Sequence, residues 1–521
     1  MSNALHKKSI LQKTTQVGGS TLVSRMLGLV REIMQVRYMG TKEMADAFRV
    51  AYQIPNLLRQ IFAEGALSSA LVPNVVKMIK EGERGRVSHL LTLSFLVFEG
   101  IVLLIIGLVS WKAYFVISLL APGWQEYQVV MAARLLRILM SFILFISSSA
   151  LLAGALQAVH HFWVPAVSPV LLNVVFISGL TAGYFFGLPI DLFCYIVLFG
   201  GLLQFLLHLY VYVSLGFSFS RIDKKTASQF GSVLKQFIPT MISGSVVQVS
   251  LLVDNYFASY LPAGSITLLG ISQGFLRIPL GLVVSFSTVL LTHFSRVGLS
   301  APKRLSFYLL ESTKLIVWLT LPITIMMSFF AEKIFFTFFY SKNFSLTQVA
   351  EAKLILSALL LGLFFFSINK ILLSLYYSLR QMWIPASITI FATLVNIMLC
   401  SWWVMMFKAT GLAMAMTLSQ AFQAFVFVLI LHKKFNFRLY HLNFLAFLVR
   451  YGIQILIMFS ALYALYHFIL FFIAFLPAWL AYLLTMTVGI WLWVVPLMAL
   501  TMLVLYKTRT LFNVRLHFLK Q

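Results

Sequence analysis

Three arginines stand among apolar neighbours near the start of the chain. Arg25 and Arg31 lie in "STLVSRMLGLVRE" (20–32), and Arg59 lies in "NLLRQIFAEGALSSALVP" (56–73). The acids in the same two stretches are Glu32 and Glu64. A charge at mid-membrane costs at least about 2.5–3.5 kcal/mol on insertion scales, so each of these residues asks for a reason. An excess of guanidinium over carboxylate asks for an anionic ligand, and the planar arginine fork matches phosphate in bidentate fashion. The chemistry expected is capture of an anionic ligand such as a phosphate. Arg25 and Arg31 are six residues apart, which is about 120° on a straight helix. They do not form one stripe, but both can border a cavity, with Gly28 between them permitting close approach. Pro55 is expected to kink its helix just before Arg59. Asn56 and Glu64 are candidates to support or gate Arg59, Glu64 by holding it in a salt bridge or by carrying a proton. Structural ion pairs are the plainer alternative for the whole group.

Further charges fall in apolar segments: Asp46, Arg49, Glu99, Arg134, Arg137, Asp254, Arg277, Glu311 and Lys314. Asp46, Arg49, Glu311 and Lys314 lie near expected helix ends and can snorkel, and Asp46 and Arg49 can pair at i,i+3. Arg134 and Arg137 suit a membrane interface. Asp254, followed by Asn255, is either a candidate cation or proton site or a hydrogen-bonded structural acid.

The elements that must position these residues follow from composition. The chain has 521 residues, 61% hydrophobic and 10% charged, against about 45–50% and about 25% in soluble domains. Its apolar runs are of helix length, roughly 20 residues, rather than the alternating ten-residue segments of a barrel. The fold expected is an all-α polytopic membrane protein of about fourteen transmembrane helices. They fall near 14–38, 47–76, 88–110, 129–156, 163–186, 190–216, 234–260, 265–294, 308–330, 350–378, 383–407, 410–431, 446–471 and 479–506.

The balance of 39 Lys+Arg against 14 Asp+Glu would suggest nucleic acid in a soluble protein. Here it is the positive-inside signature instead, and no nucleic-acid partner is expected. Basic loops alternate with loops nearly free of Lys and Arg, which places both termini in the cytoplasm. The N-terminus has no apolar core of signal-peptide length, so the first helix is expected to be retained. Cys194 and Cys400 lie in apolar segments, which argues against a disulfide framework or a zinc site. Phosphate-loop and H-E-x-x-H motifs are absent, so no cofactor or metal is expected and energy must come from a gradient, the membrane potential or the substrate.

An internal repeat supports a two-lobed plan. "HFWVPA" (161–166) and "QMWIPA" (381–386) are 220 residues apart, and at that offset Phe145 matches Phe365, Ser147 matches Ser367 and Leu152 matches Leu372. Repeated helical bundles are a transporter signature, with the substrate site between the halves. The domains expected are an N-lobe over 1–220, a C-lobe over 221–440, and two extra C-terminal helices with a basic tail over 441–521. The two lobes of six helices would surround a central cavity. The last two helices, rich in Leu, Phe and Trp, read as lipid-facing surface or as a groove for a long lipid tail.

"SRMLGLVRE" (24–32), "ADAFRVAYQIPNLLRQIFAEGALSSALVP" (45–73) and "APGW" (121–124) resemble the MurJ (MviN) family of lipid II flippases, in the multidrug/oligosaccharidyl-lipid/polysaccharide exporter superfamily. The resemblance implies carriage of undecaprenyl-diphosphate-linked peptidoglycan precursor from the inner to the outer leaflet of the bacterial cytoplasmic membrane, by alternating access. It implies that Arg25, Arg31 and Arg59, with Arg277, clamp the diphosphate, and that Asp46 and Glu64 are linked to gating. Glu32 stands where Asp is common in the family. Gln273 and Gly274 stand where many members carry an Asp-Arg pair, and Arg277 is about one helical turn on. Gln381 replaces an acid often found before the proline of the eleventh span, so the sodium site of some members is not carried over to Asp254. The partners implied are lipid II, or a similar polyprenyl-diphosphate lipid, and the membrane. Protein partners in cell-wall synthesis are unknown. The rivals are a flippase for another polyprenyl-linked glycan, a cation-coupled drug exporter, which needs acidic cavity groups, and a non-transporting scaffold.

Overall fold

The computed structural model describes residues 23–516 apart from 25, 62–66, 82–83, 160, 162, 221–223, 298–301, 380, 382 and 439. Among the described residues the chain is nearly all helical, and its β structure is one isolated bridge between Ser341 and Phe344. That is the outcome the long apolar runs dictate, because a helix satisfies its own backbone hydrogen bonds in lipid.

The chain divides into two compact units, 1–267 and 268–521. In the first, α1 runs from 26 to 39, followed by α2 (Glu43–Ile61), α3 (Leu67–Lys80), α4 (Arg84–Trp111) and α5 (Ala113–Leu120). Next come α6 (Glu126–Met140), α7 (Phe142–Ala158), α8 (Trp163–Phe186), α9 (Ile190–Ser214) and α10 (Lys224–Ala258). Helix α11 (Ser265–Val297) leads into the second unit, with α12 (Pro302–Phe329), α13 (Ala331–Phe339), α14 (Leu346–Leu361) and α15 (Leu363–Ser378). The chain continues as α16 (Trp383–Phe435), α17 (His441–Ile473), α18 (Ala478–Met486) and α19 (Trp491–Thr508). Every expected span holds helix among the described residues. Eight helices there are long and apolar enough to cross a membrane, or nine if α14 and α15, bent by 41°, form one span. Helix α16 covers two expected spans because Lys408 (φ 53, ψ −137) breaks it. The short helices α5 and α13 were not expected from the sequence.

The first unit is tied together by aromatic packing and by small residues. Phe98 of α4 lies 4.7 Å from Phe237 and 6.0 Å from Phe230 of α10, ring centre to ring centre. The seventh expected span thus packs on α4, and it also meets α2, α3 and α5. Two turns admit only glycine. Gly264 has φ +95, and a Cβ there would lie 2.3 Å from the Thr41 carbonyl oxygen. Gly123, in the "APGW" stretch, donates its N–H to Ser259 Oγ at 3.0 Å, and a Cβ there would lie 2.6 Å from the Ser259 carbonyl oxygen. That contact explains the glycine of the motif. Gly28, by contrast, has open space where a Cβ would stand, so it does not serve a close approach in this structure.

In the second unit the C-terminal helices are pinned by polar groups inside an apolar contact. The Tyr451 hydroxyl of α17 donates to the Trp318 carbonyl of α12 at 2.6 Å. Gln454 Nε2 donates to the Leu505 carbonyl and to Thr508 Oγ1 of α19, at 2.9 and 2.8 Å. Only 11% of the apolar window of α17 is buried, which leaves most of this helix as lipid-facing surface.

Candidate functional site: an arginine cluster in the first unit

Helix α1 carries Arg31 and Glu32, α2 carries Arg49 and Arg59, and α8 supplies the residues that hold Arg31. Arg31 Nη1 donates to Asn173 Oδ1 at 3.3 Å. Its guanidinium carbon lies 5.2 Å from the centre of the Phe176 ring, a cation–π distance. Asn173 Nδ2 donates in turn to the carbonyl and hydroxyl oxygens of Ser24, at 3.2 and 3.3 Å. One asparagine therefore fixes both the arginine and the helix that bears it.

Glu32 serves two cations. Its Oε2 accepts from Arg49 Nη2 at 2.8 Å, and its Oε1 lies 3.9 Å from Arg31 Nη2. The three side chains are 17–23% exposed, so the pairs are shielded from bulk water. Two guanidinium groups sharing one carboxylate leave the cluster net positive, as an anion site requires. The i,i+3 pairing of Arg49 with Asp46 does not form. Asp46 is buried and accepts instead from Gly264 N (2.7 Å), Thr267 N (2.9 Å) and Thr267 Oγ1 (2.6 Å). Its carboxylate caps the first turn of α11, where the helix end is electropositive.

Arg59 ends α2, where a cation meets the negative end of the helix dipole. Its Nε donates to Asn56 Oδ1 at 3.0 Å, one turn back. Helix α2 continues through Pro55 to Ile61 without a break. Arg25 and Glu64 lie outside the described residues.

The remaining sequence candidates lie elsewhere. Asp254 is buried on α10, and beside it Asn255 Nδ2 donates to Gln53 Oε1 of α2. Arg277 is exposed on α11 in the second unit. One turn before it, Gly274 has open space where a Cβ would stand. Arg134 and Arg137 are exposed, the first 3.2 Å from Asp191 and the second donating to the Ser110 carbonyl at 3.3 Å. Glu311 and Lys314 form an ion pair at 2.8 Å that is largely buried. Helix α12 begins at Pro302, further out than expected, so these two residues are enclosed rather than snorkelling. Among the described residues no group of three or more His, Cys, Asp or Glu is placed to hold a metal ion.

The family described as lipid II flippase MurJ matches residues 35–494. The chain belongs to the MurJ family. A probable lipid II flippase of Vibrio cholerae serotype O1 is 30% identical, over 84% of this chain and 85% of that protein. One from Haemophilus influenzae is 31% identical, over 78% and 83%. One from Buchnera aphidicola subsp. Schizaphis graminum is 29% identical, over 90% and 91%. The fold is similar to a solved lipid II flippase MurJ in an inward closed conformation, with a TM-score of 0.76 at 24% identity over 96% of this chain and 99% of that one. It is also similar to an inward-facing multidrug resistance transporter of the MATE family, with a TM-score of 0.68 at 14% identity over 79% and 94%.

Asn173 and Phe176 were not found by reading the sequence for charges. The available signal was an amide inside an apolar run, "PVLLNVVF" (169–176), where a polar side chain needs a partner.

Proposed function

We propose that this chain is a lipid II flippase of the bacterial cytoplasmic membrane. It moves undecaprenyl-diphosphate-linked peptidoglycan precursor from the inner to the outer leaflet by alternating access, for cell-wall synthesis. The observation that carries the reading is the shielded, net-positive cluster of Arg31, Glu32 and Arg49 in a chain of the MurJ family.

In this reading Arg31 and Arg59, with Arg25 and Arg277, take the diphosphate. Asn173 and Phe176 keep the Arg31 fork aimed, Asn56 does the same for Arg59, and Glu32 limits the repulsion between Arg31 and Arg49. Glu64 holds or gates Arg59. The polar head passes through water while the tail stays in lipid, along a groove framed by the C-terminal helices. The lobes over 1–220 and 221–440 are the bodies that rock, and both termini stay in the cytoplasm. An inside-negative potential, worth about 2.3 kcal/mol per charge per 100 mV, favours return of the emptied cationic site. The reaction is transport and not catalysis.

Complementation tests this reading. A bacterium depleted of its own lipid II flippase is given the wild-type chain, Arg31→Ala or Arg59→Ala, with membrane expression of each measured. Rescue by wild type and failure of the well-expressed variants is the expected result. Failure of wild type sinks the substrate assignment, and full rescue by both variants sinks the role of the arginines.

A further inference from the structure

Outside the arginine cluster, the most unusual group in the first unit is Glu99. It is the sixteenth of the 28 residues of α4, near the middle of a helix long enough to cross the membrane, and it is 5% exposed. Its partner is a hydroxyl. Ser147 Oγ of α7 lies 2.9 and 2.8 Å from the two carboxyl oxygens, and the next residue, Ser148, is also buried. We propose that Glu99 is a proton-binding site, protonated in this conformation and able to release its proton only when α4 and α7 part.

No cation meets it among the described residues. Helix α7 carries no titratable residue. Helix α6 carries Glu126, Arg134 and Arg137, all exposed, with Arg134 paired to Asp191 and Arg137 bonded to Ser110. Helix α10 turns Phe230 and Phe237 to the neighbouring Phe98, while its Lys235 is exposed and its buried Asp254 lies about 25 Å further along the helix. Helix α3 offers Lys77, exposed and paired with Glu81, and α5 offers Tyr114, exposed. On α4 itself His89 lies ten residues away. Calcium and magnesium want six or more oxygen ligands, and the Ser147 hydroxyl beside one carboxyl does not provide them. An ionised carboxylate here would be an uncompensated charge in the low-dielectric interior, which is costly.

The hydrogen-bond geometry points the same way. Ser147 Oγ also lies 3.1 Å from the Leu144 carbonyl oxygen. Its single hydrogen cannot serve that carbonyl and a carboxylate at once. With a proton on Glu99, the carboxyl O–H donates to Ser147 Oγ and Ser147 donates to Leu144, so both groups are joined to Ser147 with one hydrogen for each bond.

The second unit shows that this fold does not need the acid. Helix α12 also has 28 residues, and at the repeat offset of 220 Leu319 stands where Glu99 does. Ser367, which matches Ser147 in the repeat, is buried and has no hydrogen-bond partner among the described residues. An acid kept in one copy and absent from the other is not a packing requirement. Because α7 packs on α2, which bears Arg49 and Arg59, loss of the proton would be felt at the cationic cluster. The proton site stands on the packing, and its use in transport rests on the flippase reading.

Infrared spectroscopy of the full chain in lipid nanodiscs is the first test. At neutral pH a protonated-carboxyl C=O band is expected that shifts in D2O and is lost in Glu99→Gln, with thermal stability of the variant checked in parallel. Absence of a Glu99-dependent band overturns the proposal. So does a band that vanishes in sodium chloride but not in choline chloride, since that marks a metal-cation site. The second test follows lipid II flipping in proteoliposomes under an imposed pH gradient. The wild-type rate should change several-fold, and the Glu99→Gln rate should not respond. Equal responses overturn a role in coupling. If wild type flips no lipid II at all, the flippase reading fails while the infrared band still decides the proton site.

Discussion

The two units handle interior charge differently. In the first, Arg31, Glu32 and Arg49 form a chain of contacts anchored on Asn173, Asp46 caps a helix through three hydrogen bonds, and Glu99 sits on a hydroxyl. In the second, the enclosed ion pair among the described residues is Glu311 with Lys314, three residues apart on one helix. Arg277 is exposed, and Leu319 stands 220 residues on from Glu99. Two helices of equal length, α4 and α12, therefore carry unlike chemistry. Apolar packing holds each unit together, and that leaves its charged groups free to differ.

Breaking the first unit's network should have the largest effect. Arg31→Ala is expected to abolish complementation, whereas the paired change Glu311→Gln with Lys314→Met, which removes both charges of the second unit's ion pair, should leave rescue intact. Loss of rescue in the paired variant at normal expression would end the asymmetry. Next is Glu32→Gln, which leaves Arg49 and Arg31 facing each other with no carboxylate. A loss of about 1–3 kcal/mol of stability is expected from a shielded charge left without its partner, read as a lower melting temperature in detergent.

The two repeat-related serines sharpen the comparison. Ser147→Ala removes the partner of Glu99 and should destabilise by about 1–3 kcal/mol. Ser367→Ala removes a buried hydroxyl with no hydrogen-bond partner among the described residues, and should be neutral or stabilising by up to about 1 kcal/mol. Equal melting temperatures for the two variants would contradict the difference drawn here. The smallest effect is on the second unit's surface. The Lys353 ammonium, hydrogen-bonded to Glu332 at 2.8 Å, holds that carboxyl below the usual glutamate range. A depressed carboxyl pKa stabilises the folded state above the unfolded-state pKa, and that contribution is lost as pH falls through the depressed value. Both side chains are substantially exposed, so solvent screening keeps the contribution below about 1 kcal/mol. Comparing Glu332→Gln with wild type at neutral and acidic pH should show a small difference only at neutral pH.

Much of this was legible in the residues themselves. The helical spans were readable because runs of apolar residues interrupted by basic loops have few other solutions. The excess of arginine over acid near the N-terminus was readable for the same reason, since charge is conspicuous against lipid. Asp46 and Arg49 are neighbours on one helix and can pair at i,i+3, but Asp46 instead meets a distant partner at the start of α11. Glu311 and Lys314 lie near the expected helix end at 308, whereas α12 starts six residues earlier, at Pro302. Asn173 is inconspicuous in the sequence, because an amide carries no charge to mark it.

The sequence by itself determined that the chain is helical and membrane-spanning, and that arginine outnumbers acid in its first apolar stretches. Apolar run length and residue charge are local quantities, and lipid allows few backbone solutions to either. Only the tertiary structure decided which carboxylate meets which arginine, which amide holds Arg31 and which hydroxyl meets Glu99. Those partners are 142 residues apart for Arg31 and Asn173, 221 for Asp46 and Thr267, and 48 for Glu99 and Ser147. Pairing at such separations depends on how each helix is rotated and stacked, and periodicity along one helix does not encode its rotation against another.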